Sequence, residues 1–447
     1  MQDNICAIAT PYGMGAISIV RASGPDAITL VNKIFRGKDL TKVDGYTINY
    51  GYIVDKNENI VDEVLANVFK APHSFDGENM VEINCHGGIL VTNKVLETLL
   101  DNGFRLAERG EFSKRAFLNH KMDLTSAESI MDIISASNDI ALSSSLSSLR
   151  NATKNLIQSF RNKILDLLAK IEVNIDYPEY DDAIDVTHEY MAPVVSNMIE
   201  DMEQIIENSK VSTLAIHGIK TAIIGKPNVG KSSLLNMLLD EPKAIVSNIE
   251  GTTRDMVEGE LNIGNITLHL IDTAGIRESS DYVESIGIKR SEEAAKQADL
   301  ILLVLDQSRA LDDMDKALIE MTNDKNRIII ANKSDLKALW QNDKAISISA
   351  LQNNGLEILI NEIKRVTNIN AIHSMDNRYL NNVRQVDLLK KAHSSLLDAR
   401  NGISNLIDIS LIEIDINNCF EALGEITGES YPEELITALF TKFCLGK

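Results

Sequence analysis

The chain has 447 residues, which suggests about three domains, each long enough to bury its own core. Its 44 Lys and Arg residues against 65 Asp and Glu residues give a net charge of −21, which argues against a protein that binds nucleic acid by neutralising many phosphates. A local basic patch, or a partner that supplies one, stays open. Four scattered cysteines without a C-x-x-C pair favour a reducing compartment and neither a disulfide framework nor a zinc site. Without a leader or an apolar run near 18 residues, we expect a soluble cytoplasmic protein with no membrane span.

Residues 1–118 alternate short β-type runs with two segments of helical periodicity, which predicts an α+β domain. A polar cluster at 80–88 lies at the end of a strand pattern, and we interpret it as a solvated strand end and a turn. The adjacent Cys85 and His86 would point to opposite faces of the strand, so they make a poor metal-binding pair. The predicted strands are 5–9, 16–21, 51–54 and 61–69, and the predicted helices are 26–35 and 89–102.

The character changes near residue 119, where apolar residues take helical spacing and Gly and Pro become scarce. This pattern predicts two long helices over 124–173 and another over 188–210, which serve helical packing or a dimer face. Residues 217–370 alternate strand and helix, and residues 371–447 return to helix, chiefly over 380–400 and 411–423. The sequence therefore predicts an α/β domain (217–370) inserted into a discontinuous helical domain (119–216 and 371–447), which is feasible because domain termini usually lie close together.

The inserted segment carries G-x-x-x-x-G-K-S at 225–232, between an apolar run and a helix-forming stretch. A phosphate-binding loop requires this strand–loop–helix context, because glycines let backbone N–H groups turn onto phosphate oxygens and the helix N-terminus favours anions. We expect Lys231 to reach the β- and γ-phosphates of a nucleotide and Ser232 to ligate Mg²⁺. A plain glycine turn is the alternative for this motif alone. The expected phosphate contacts are Asn228, Val229, Gly230, Lys231, Ser232 and Ser233.

Four further motifs follow in the order that a guanine-nucleotide switch requires. A threonine of G-T-T-R-D (251–255) can close on Mg²⁺ only when the γ-phosphate is present, and D-T-A-G (272–275) would orient the Mg²⁺ shell and sense that phosphate. Asp335 of N-K-S-D can accept the two N–H donors on the edge of guanine, and 349–351 can support the base through backbone amides. Lys231, Thr253 and Asp272 are the catalytic candidates. The expected nucleotide contacts are Gly251, Thr252, Thr253, Asp272, Thr273, Ala274, Gly275, Asn332, Lys333, Asp335, Ser349, Ala350 and Leu351.

Along its whole length the chain resembles the MnmE (TrmE) family of tRNA-modification GTPases. The nucleotide motifs carry this resemblance together with the ending at 443–447, similar to the family's C-[IL]-G-K, and residues 110–124, close to its G-E-F-[ST]-x-R-A-F-L-N-x-K-x-D-L. The resemblance implies a multidomain fold, with an α+β N-terminal folate-binding domain, an α-helical central domain and an inserted Ras-like α/β P-loop GTPase domain. It also implies GTP hydrolysis that K⁺ stimulates and homodimerisation activates, since K⁺ would replace an arginine finger between two paired domains.

The resemblance also assigns site residues for hydrolysis. Ile276 stands where Ras-type switches carry the glutamine that orients the attacking water, and Glu284 matches the acidic residue that positions this water in the family. Cys444 matches the near-terminal cysteine, as either a nucleophile or a small buried residue. The implied K⁺ ligands are Asn228 of the phosphate loop and Ser247, Ile249 and Thr252 of a second segment. That segment, which completes the K⁺ shell in the family, comprises Ser247, Asn248, Ile249, Glu250, Gly251, Thr252 and Thr253.

A second implied site lies in the N-terminal domain. Arg21, Glu82, Lys121 and Lys447 match positions around a one-carbon-loaded tetrahydrofolate, in the 5-formyl or 5,10-methylene form. Cationic side chains suit the glutamyl carboxylate of a folate, and Glu82 suits the amino edge of a pterin.

Taken together, the resemblance implies an enzyme of tRNA modification. With the FAD protein MnmG (GidA), in a hetero-oligomer, it would install an aminomethyl or carboxymethylaminomethyl group at C5 of the wobble uridine U34 of certain tRNAs. The net charge of −21 suits binding of tRNA mainly through MnmG. The alternative is a regulatory GTPase in ribosome assembly or membrane-associated signalling, which predicts a basic RNA-binding appendage or an amphipathic basic helix. Neither is evident in the sequence.

Overall fold

A computed structural model describes residues 3–176, 186–239, 245–247, 259–263, 265–271, 292–369, 378–429, 433–441, 443 and 446. The chain divides into two compact units, Met1–Ala127 with Thr427–Lys447, and Glu128–Ile426. The last segment of the chain therefore belongs to the same unit as the first. Among the described residues, no helix combines the length and the apolar character that crossing a bilayer requires.

The elements of the first unit form one sheet with helices beside it. In chain order they are β1 (Ile5–Ile8), β2 (Ile17–Ser23), α1 (Ala27–Ile34), β3 (Phe35–Gly37), β4 (Thr47–Val54), β5 (Ile60–Phe69), β6 (Met80–His86), α2 (Ile89–Asp101), β7 (Arg105–Leu106) and α3 (Glu111–Leu118). The strand order is β3-β4-β5-β6-β2-β1-β7, in which only β1 and β7 run parallel.

Side chains of β6 alternate between the two faces of this sheet. Ile83 and Cys85 lie in the buried cluster with Val95 of α2, whereas Met80 packs on the other face with Phe112 of α3. Polar residues of β6 share this second face. The predicted α+β character is confirmed, and the short helix α3 is an element that the periodicity did not predict.

The second unit consists of a set of helices and of the sheet that carries the nucleotide motifs. In chain order its elements are α4 (Leu124–Ser135), α5 (Asp139–Leu149), α6 (Ala152–Asp176), α7 (His188–His217), β8 (Ile219–Ile224), α8 (Lys231–Leu239), β9 (Ile245–Ser247), β10 (Gly259–Ile263), β11 (Ile266–Ile271), β12 (Leu300–Asp306), α9 (Asp313–Met321), β13 (Arg327–Asn332), β14 (Ala345–Ser347), α10 (Leu356–Thr367), α11 (Val383–Ser404) and α12 (Ile409–Thr427). A last helix, α13 (Glu433–Phe440), returns the chain to the first unit.

The nucleotide-type sheet has the strand order β14-β13-β12-β8-β11-β10-β9. Strands β8, β11, β12, β13 and β14 are parallel, and β9 and β10 are antiparallel additions at one edge. All seven residues of β12 are buried, as expected for a parallel strand covered on both faces. The carboxyl ends of β8, β12 and β13 meet at one edge, where open parallel sheets bind ligands.

The prediction of two long helices over 124–173 is wrong, because three helices occupy this stretch. Asn138 caps α5 by accepting a bond from the backbone nitrogen of Ala141 at 2.8 Å, so a new helix begins within the stretch Ser-Ala-Ser-Asn-Asp at 135–139. Asn151 has φ of 69° and separates α5 from α6. Helix α7 also continues to His217, beyond the predicted end at residue 210.

Helix α13 packs against α3 in the first unit. Lys114 donates to the hydroxyl of Thr437 at 2.8 Å, and the rings of Phe117 and Phe440 lie 6.1 Å apart. Gly110, with φ of 69°, starts α3 directly beneath the carbonyl of Phe440, where a Cβ atom would collide. The end of the chain is therefore a structural part of the N-terminal unit.

Candidate functional site

The loop between β8 and α8 has the close-packed backbone of a phosphate-binding loop. Asn228 and Gly230 have φ of 64° and 101°, and Gly230 lies against the side chain of Asn332, so that any Cβ there would collide. The backbone nitrogen of Leu234 donates to the carbonyl of Gly230 at 2.9 Å, which starts α8 at Lys231. The predicted strand–loop–helix context is confirmed. Asn228 and Ser232 are exposed, Val229 is buried, and Ser233 is half-buried in α8.

The side chain of Lys231 lies across its own loop. Its ammonium donates to the carbonyl oxygens of Gly225 at 2.9 Å and Lys226 at 2.8 Å. Burial lowers the pKa of this lysine, because a half-buried ammonium loses hydration. A cation at this point, beside the N-terminus of α8, is placed to bind phosphate oxygens.

Asn332 joins the phosphate loop to the base-binding segment. Its amide nitrogen donates to the carbonyl of Val229 at 2.8 Å, and its amide oxygen accepts from the backbone nitrogen of Ala350 at 3.1 Å. The side chain is buried, with 2% of the residue exposed. Both halves of a nucleotide site are therefore held by one amide group, a bridge for which the N-K-S-D motif alone gives no signal.

Asp335 lies beside the serine of the next motif. The hydroxyl of Ser349, which is buried, donates to Asp335 Oδ1 at 2.6 Å, and the backbone nitrogen of Ser334 donates to the carbonyl of Ile348 at 2.9 Å. Leu351 follows with 83% of its surface exposed. This arrangement brings together the residues expected to bind guanine and leaves the carboxylate of Asp335 anchored through one oxygen.

Lys333 pairs with an aspartate that the motifs do not indicate. Its ammonium lies 2.6 Å from Asp306 Oδ2 at the end of β12. Burial opposes ionisation of Asp306, but the bonds from Lys333 and Ser308 outweigh it and hold the pKa of this carboxyl below its usual range. In the phosphate loop, Lys226 pairs with Asp312, the N-cap of α9. Two lysines of the nucleotide motifs are therefore fixed by acidic partners, one at the end of β12 and one at the start of α9.

In the first unit, Arg21 and Glu82 form the core of the second candidate site. The guanidinium donates to Glu82 Oε1 from Nε at 3.0 Å and Nη2 at 2.8 Å, and to the carbonyl of Gly446 at 3.2 Å. It lies 5.0 Å from the ring centre of Phe75 and 5.5 Å from that of Phe112. The pair is half-buried, so this cation has apolar walls, a carboxylate and the chain end around it.

Lys121 lies in the same region without bonding to this pair. Its ammonium donates to the carbonyl of Pro72 at 2.9 Å, and its Cγ lies 3.2 Å from where a Cβ of Gly77 would be. The loop 72–77 therefore contacts Lys121 at one end, while its Phe75 covers Arg21. The structure brings Arg21 and Glu82 together and places Lys121 on the neighbouring loop.

Several predicted site residues lie outside the part of the chain that the structure describes. Ser247 ends β9, where its backbone pairs with Glu260 of β10, and nothing is described of its side chain. Outside the described residues are Asn248, Ile249, Glu250, Gly251, Thr252, Thr253, Asp272, Thr273, Ala274, Gly275, Ile276, Glu284, Cys444 and Lys447. Their assigned roles stay predictions.

Comparison with known proteins places the whole chain in one family. The model "GTP-binding protein TrmE N-terminus" matches residues 4–121, and the model "MnmE helical domain" matches residues 124–444. These matches and the two sheets confirm the predicted multidomain fold, with an α+β N-terminal domain, a helical domain and an inserted P-loop α/β domain.

Full-length relatives agree with these matches. The tRNA modification GTPase MnmE of Acholeplasma laidlawii (strain PG-8A) is 48% identical over 445 residues, covering 100% of this chain and 99% of the relative. The proteins of the same name from Streptococcus thermophilus (strain CNRZ 1066) and Lactococcus lactis subsp. cremoris (strain MG1363) are 48% and 47% identical, each covering 100% of this chain and 98% of the relative. Identity at this level over the full length, together with the helical-domain match, leads to one conclusion: the chain belongs to the MnmE family.

Proposed function

We propose that this protein is a GTP hydrolase that acts in tRNA modification, as its relatives are named. The observation that carries the proposal is the bridge by Asn332, which holds a phosphate-binding loop against the segment that follows β14. A purified wild-type chain should hydrolyse GTP in preference to ATP, and Lys231→Ala should abolish hydrolysis. Equal use of the two nucleotides would contradict guanine recognition by Asp335.

Phosphate binding is the task of the loop and of Lys231. Backbone N–H groups of the loop and the ammonium of Lys231 would bind the β- and γ-phosphates, while the carboxylate of Asp335 would accept from the guanine edge. Ser232 and Thr253 would hold Mg²⁺, and Asp272 would orient the shell around it. Bound Mg²⁺ supplies positive charge to the phosphate oxygens, and the chain's own residues fix where that charge sits.

Potassium and pairing of two copies complete the proposed hydrolytic site. Asn228 is exposed and has a strained φ of 64°, which suits a loop residue that ligates an ion at a surface. K⁺ held by Asn228, Ser247, Ile249 and Thr252 would supply the charge of an arginine finger when two nucleotide domains of a homodimer pair. Glu284 would position the attacking water, so Glu284→Ala should slow hydrolysis and leave GTP affinity nearly intact.

The first unit would bind a one-carbon-loaded tetrahydrofolate beside Arg21 and Glu82. The two hydrogen bonds that Arg21 donates to Glu82 both go to Oε1, and among the described residues no donor reaches Oε2. Oε2 is therefore available to accept from the amino edge of a pterin. Asn67, which pairs with Glu82 across β5 and β6, and Asn84 each have a buried amide oxygen without a partner in the described structure. Buried amide oxygens without hydrogen-bond partners, next to a half-buried carboxylate, support a ligand site on this face of the sheet.

Binding of folate can be measured directly. Titration with 5-formyltetrahydrofolate should show saturable binding to the wild-type chain, and Glu82→Gln should weaken it because an amide cannot replace the carboxylate toward two N–H donors. Glu63→Gln, on the exposed end of the neighbouring strand β5, is a matched control. Equal affinity for both variants would reject Glu82 as a ligand.

The remaining steps involve partners. In the cytoplasm, with the FAD protein MnmG in a hetero-oligomer, the enzyme would install an aminomethyl or carboxymethylaminomethyl group at C5 of the wobble uridine of certain tRNAs, and tRNA would be bound mainly through MnmG. We also propose the domain bounds 1–118, 119–216 with 371–447, and 217–370, where the last segment of the helical domain, 427–447, lies in the same compact unit as residues 1–127. Nucleoside analysis of bulk tRNA from cells lacking this chain tests the modification, with wild type and Lys231→Ala as complementing genes. Unmodified wobble uridine restored only by wild type is the expected result.

A further inference from the structure

The loop between β12 and α9 contains an arginine surrounded by three carboxylates. Arg309 donates from Nη1 to Asp312 at 3.0 Å and from Nη2 to Asp315 at 3.1 Å, and its Nε lies 4.0 Å from Asp306 Oδ2. The side chains of Asp306 and Asp315 are buried, with 8% and 1% exposed, while that of Arg309 is 35% exposed. We call Asp306, Asp312 and Asp315 the carboxylate cluster.

Two members of the carboxylate cluster also bind lysines of the nucleotide motifs. Asp306 Oδ2, which faces Arg309, also binds the ammonium of Lys333 at 2.6 Å. Asp312 Oδ2 binds both Arg309 and Lys226. These ion pairs form a continuous network of alternating charges. It runs from Lys333, next to the guanine-binding motif residue Asp335, through Arg309, to Lys226 in the phosphate loop.

Arg309 joins the Lys333–Asp306 pair to the Lys226–Asp312 pair. Without the guanidinium, the negative charges of Asp306 and Asp312 would repel each other, and each carboxylate would have only one lysine to balance its charge. Asp315 is almost fully buried, and its remaining partner in the described structure is the backbone nitrogen of Asp312, so its charge would stay poorly compensated. The loop would relax to separate these charges, and Lys226 and Lys333 would move with it.

We propose that Arg309 is a positioning residue for guanine-nucleotide binding, which orders the base motif through Asp306 and the phosphate loop through Asp312. This inference rests on the proposed GTP binding and adds a second connection between the two halves of the site, besides the amide bridge of Asn332. Arg309 itself touches neither the phosphates nor the base in this role. Its loss therefore changes nucleotide affinity and leaves the chemical step in place.

The expected size of the effect follows from exposure. A partly exposed ion pair changes an equilibrium by about two- to fivefold, and Arg309 makes several such contacts, so Arg309→Ala should weaken binding of GDP and GTP by about tenfold. Because ground-state and transition-state binding fall together, KM should rise with kcat nearly constant. Arg309→Lys keeps the charge, but its single ammonium nitrogen cannot place donors at the separate positions of Nη1 and Nη2, so it should recover only part of the affinity.

The experiment uses the full chain and fluorescent mant-GDP and mant-GTP. Wild type, Arg309→Ala, Arg309→Lys and Arg365→Ala are compared for dissociation constant, KM, kcat and melting temperature. Arg365 is the matched control, since it pairs with Glu362 on the exposed surface of α10. A tenfold loss for Arg309→Ala, partial rescue by lysine and wild-type affinity for Arg365→Ala support the inference.

Asp306→Asn provides a second line of evidence. By itself this change should weaken nucleotide binding. It should have little further effect in the Arg309→Ala background, because both substitutions interrupt the same network of ion pairs. Unchanged affinity in Arg309→Ala, or a lower melting temperature with unchanged affinity, would overturn the positioning role and leave GTP binding intact. A wild-type chain that binds neither nucleotide would overturn the proposed function as well, so the two failures are distinguishable.

Discussion

Replacement of Asn332 by alanine removes the amide that joins the two halves of the nucleotide site. The change breaks the 2.8 Å bond to the carbonyl of Val229 and the 3.1 Å bond from the backbone nitrogen of Ala350. Val229 is buried, so its carbonyl has no easy replacement by water. The phosphate loop and the base segment would then be ordered separately when a nucleotide binds.

The magnitude follows from the cost of unsatisfied groups. Each intramolecular hydrogen bond contributes about 0.5–1.5 kcal/mol, and a buried group left without its partner costs about 1–3 kcal/mol. Since part of this cost is relieved as the loops relax, we expect nucleotide affinity to fall by about 2 kcal/mol, or about thirtyfold. GDP and GTP should be affected alike, because neither bond involves the γ-phosphate. Stopped-flow fluorescence with mant-GDP and mant-GTP measures both dissociation constants.

Asn326→Ala is the control for this experiment. Asn326 is exposed and precedes β13 at the end opposite to Asn332, so its side chain is far from the phosphate loop along the strand. It should bind both nucleotides like wild type. Unchanged affinity in Asn332→Ala, or a loss confined to GTP, would refute the reasoning that the amide preorganises the whole site.

Three further changes test other parts of the account. Asp335→Asn replaces a carboxylate that accepts from guanine by an amide, so competition between GDP and XDP should shift toward xanthine, and an unchanged preference for GDP would contradict the role of Asp335. Exchange of Na⁺ for K⁺ at constant ionic strength should accelerate phosphate release strongly, and Asn228→Ala should remove most of this response; equal wild-type rates in both salts would exclude the K⁺ site. Burial raises the pKa of Asp132 to about 6; the nearby His217 lowers this pKa and the nearby Glu128 raises it further. The pKa of Asp132 is higher in the folded state than in the unfolded state, so the protonated carboxyl stabilises the fold at pH 4 and this stabilisation is lost as pH rises through 6. Asp132→Asn should therefore raise the free energy of unfolding, measured with denaturant, by about 1–2 kcal/mol at pH 8 and by little at pH 4. An equal gain at both pH values would contradict this assignment.

The nucleotide loop was predictable because its signals are local. Strand β8, the glycine loop and α8 follow each other within 21 residues, and the change of periodicity marks both boundaries. Helix ends set by single side chains were harder, since the boundary before α5 depends on one capping residue, Asn138, and neither Gly nor Pro marks it. The number of helices between 124 and 173 was therefore wrong although their helical character was right.

The contacts between motifs could not be predicted in this way. Asp306 reaches Lys333 because β12 and β13 are parallel neighbours in a register that pairs Asp306 with Asn332, and this register appears only in the assembled sheet. The same holds for Arg21 and Glu82, which are paired across β2 and β6 but are 61 residues apart in the chain. The resemblance supplied this second pair, whereas the residue pattern alone favoured a solvated strand end.

The return of the last helix to the first unit has a consequence for biosynthesis. Gly110 has the carbonyl of Phe440 above it, and Arg21 donates to the carbonyl of Gly446, a residue that is synthesised 425 positions later. A nascent chain on the ribosome holds the N-terminal sheet with one side unfinished while all the intervening residues are synthesised. A chain that stops before α13 should therefore be destabilised first in its N-terminal sheet, which was synthesised long before the break.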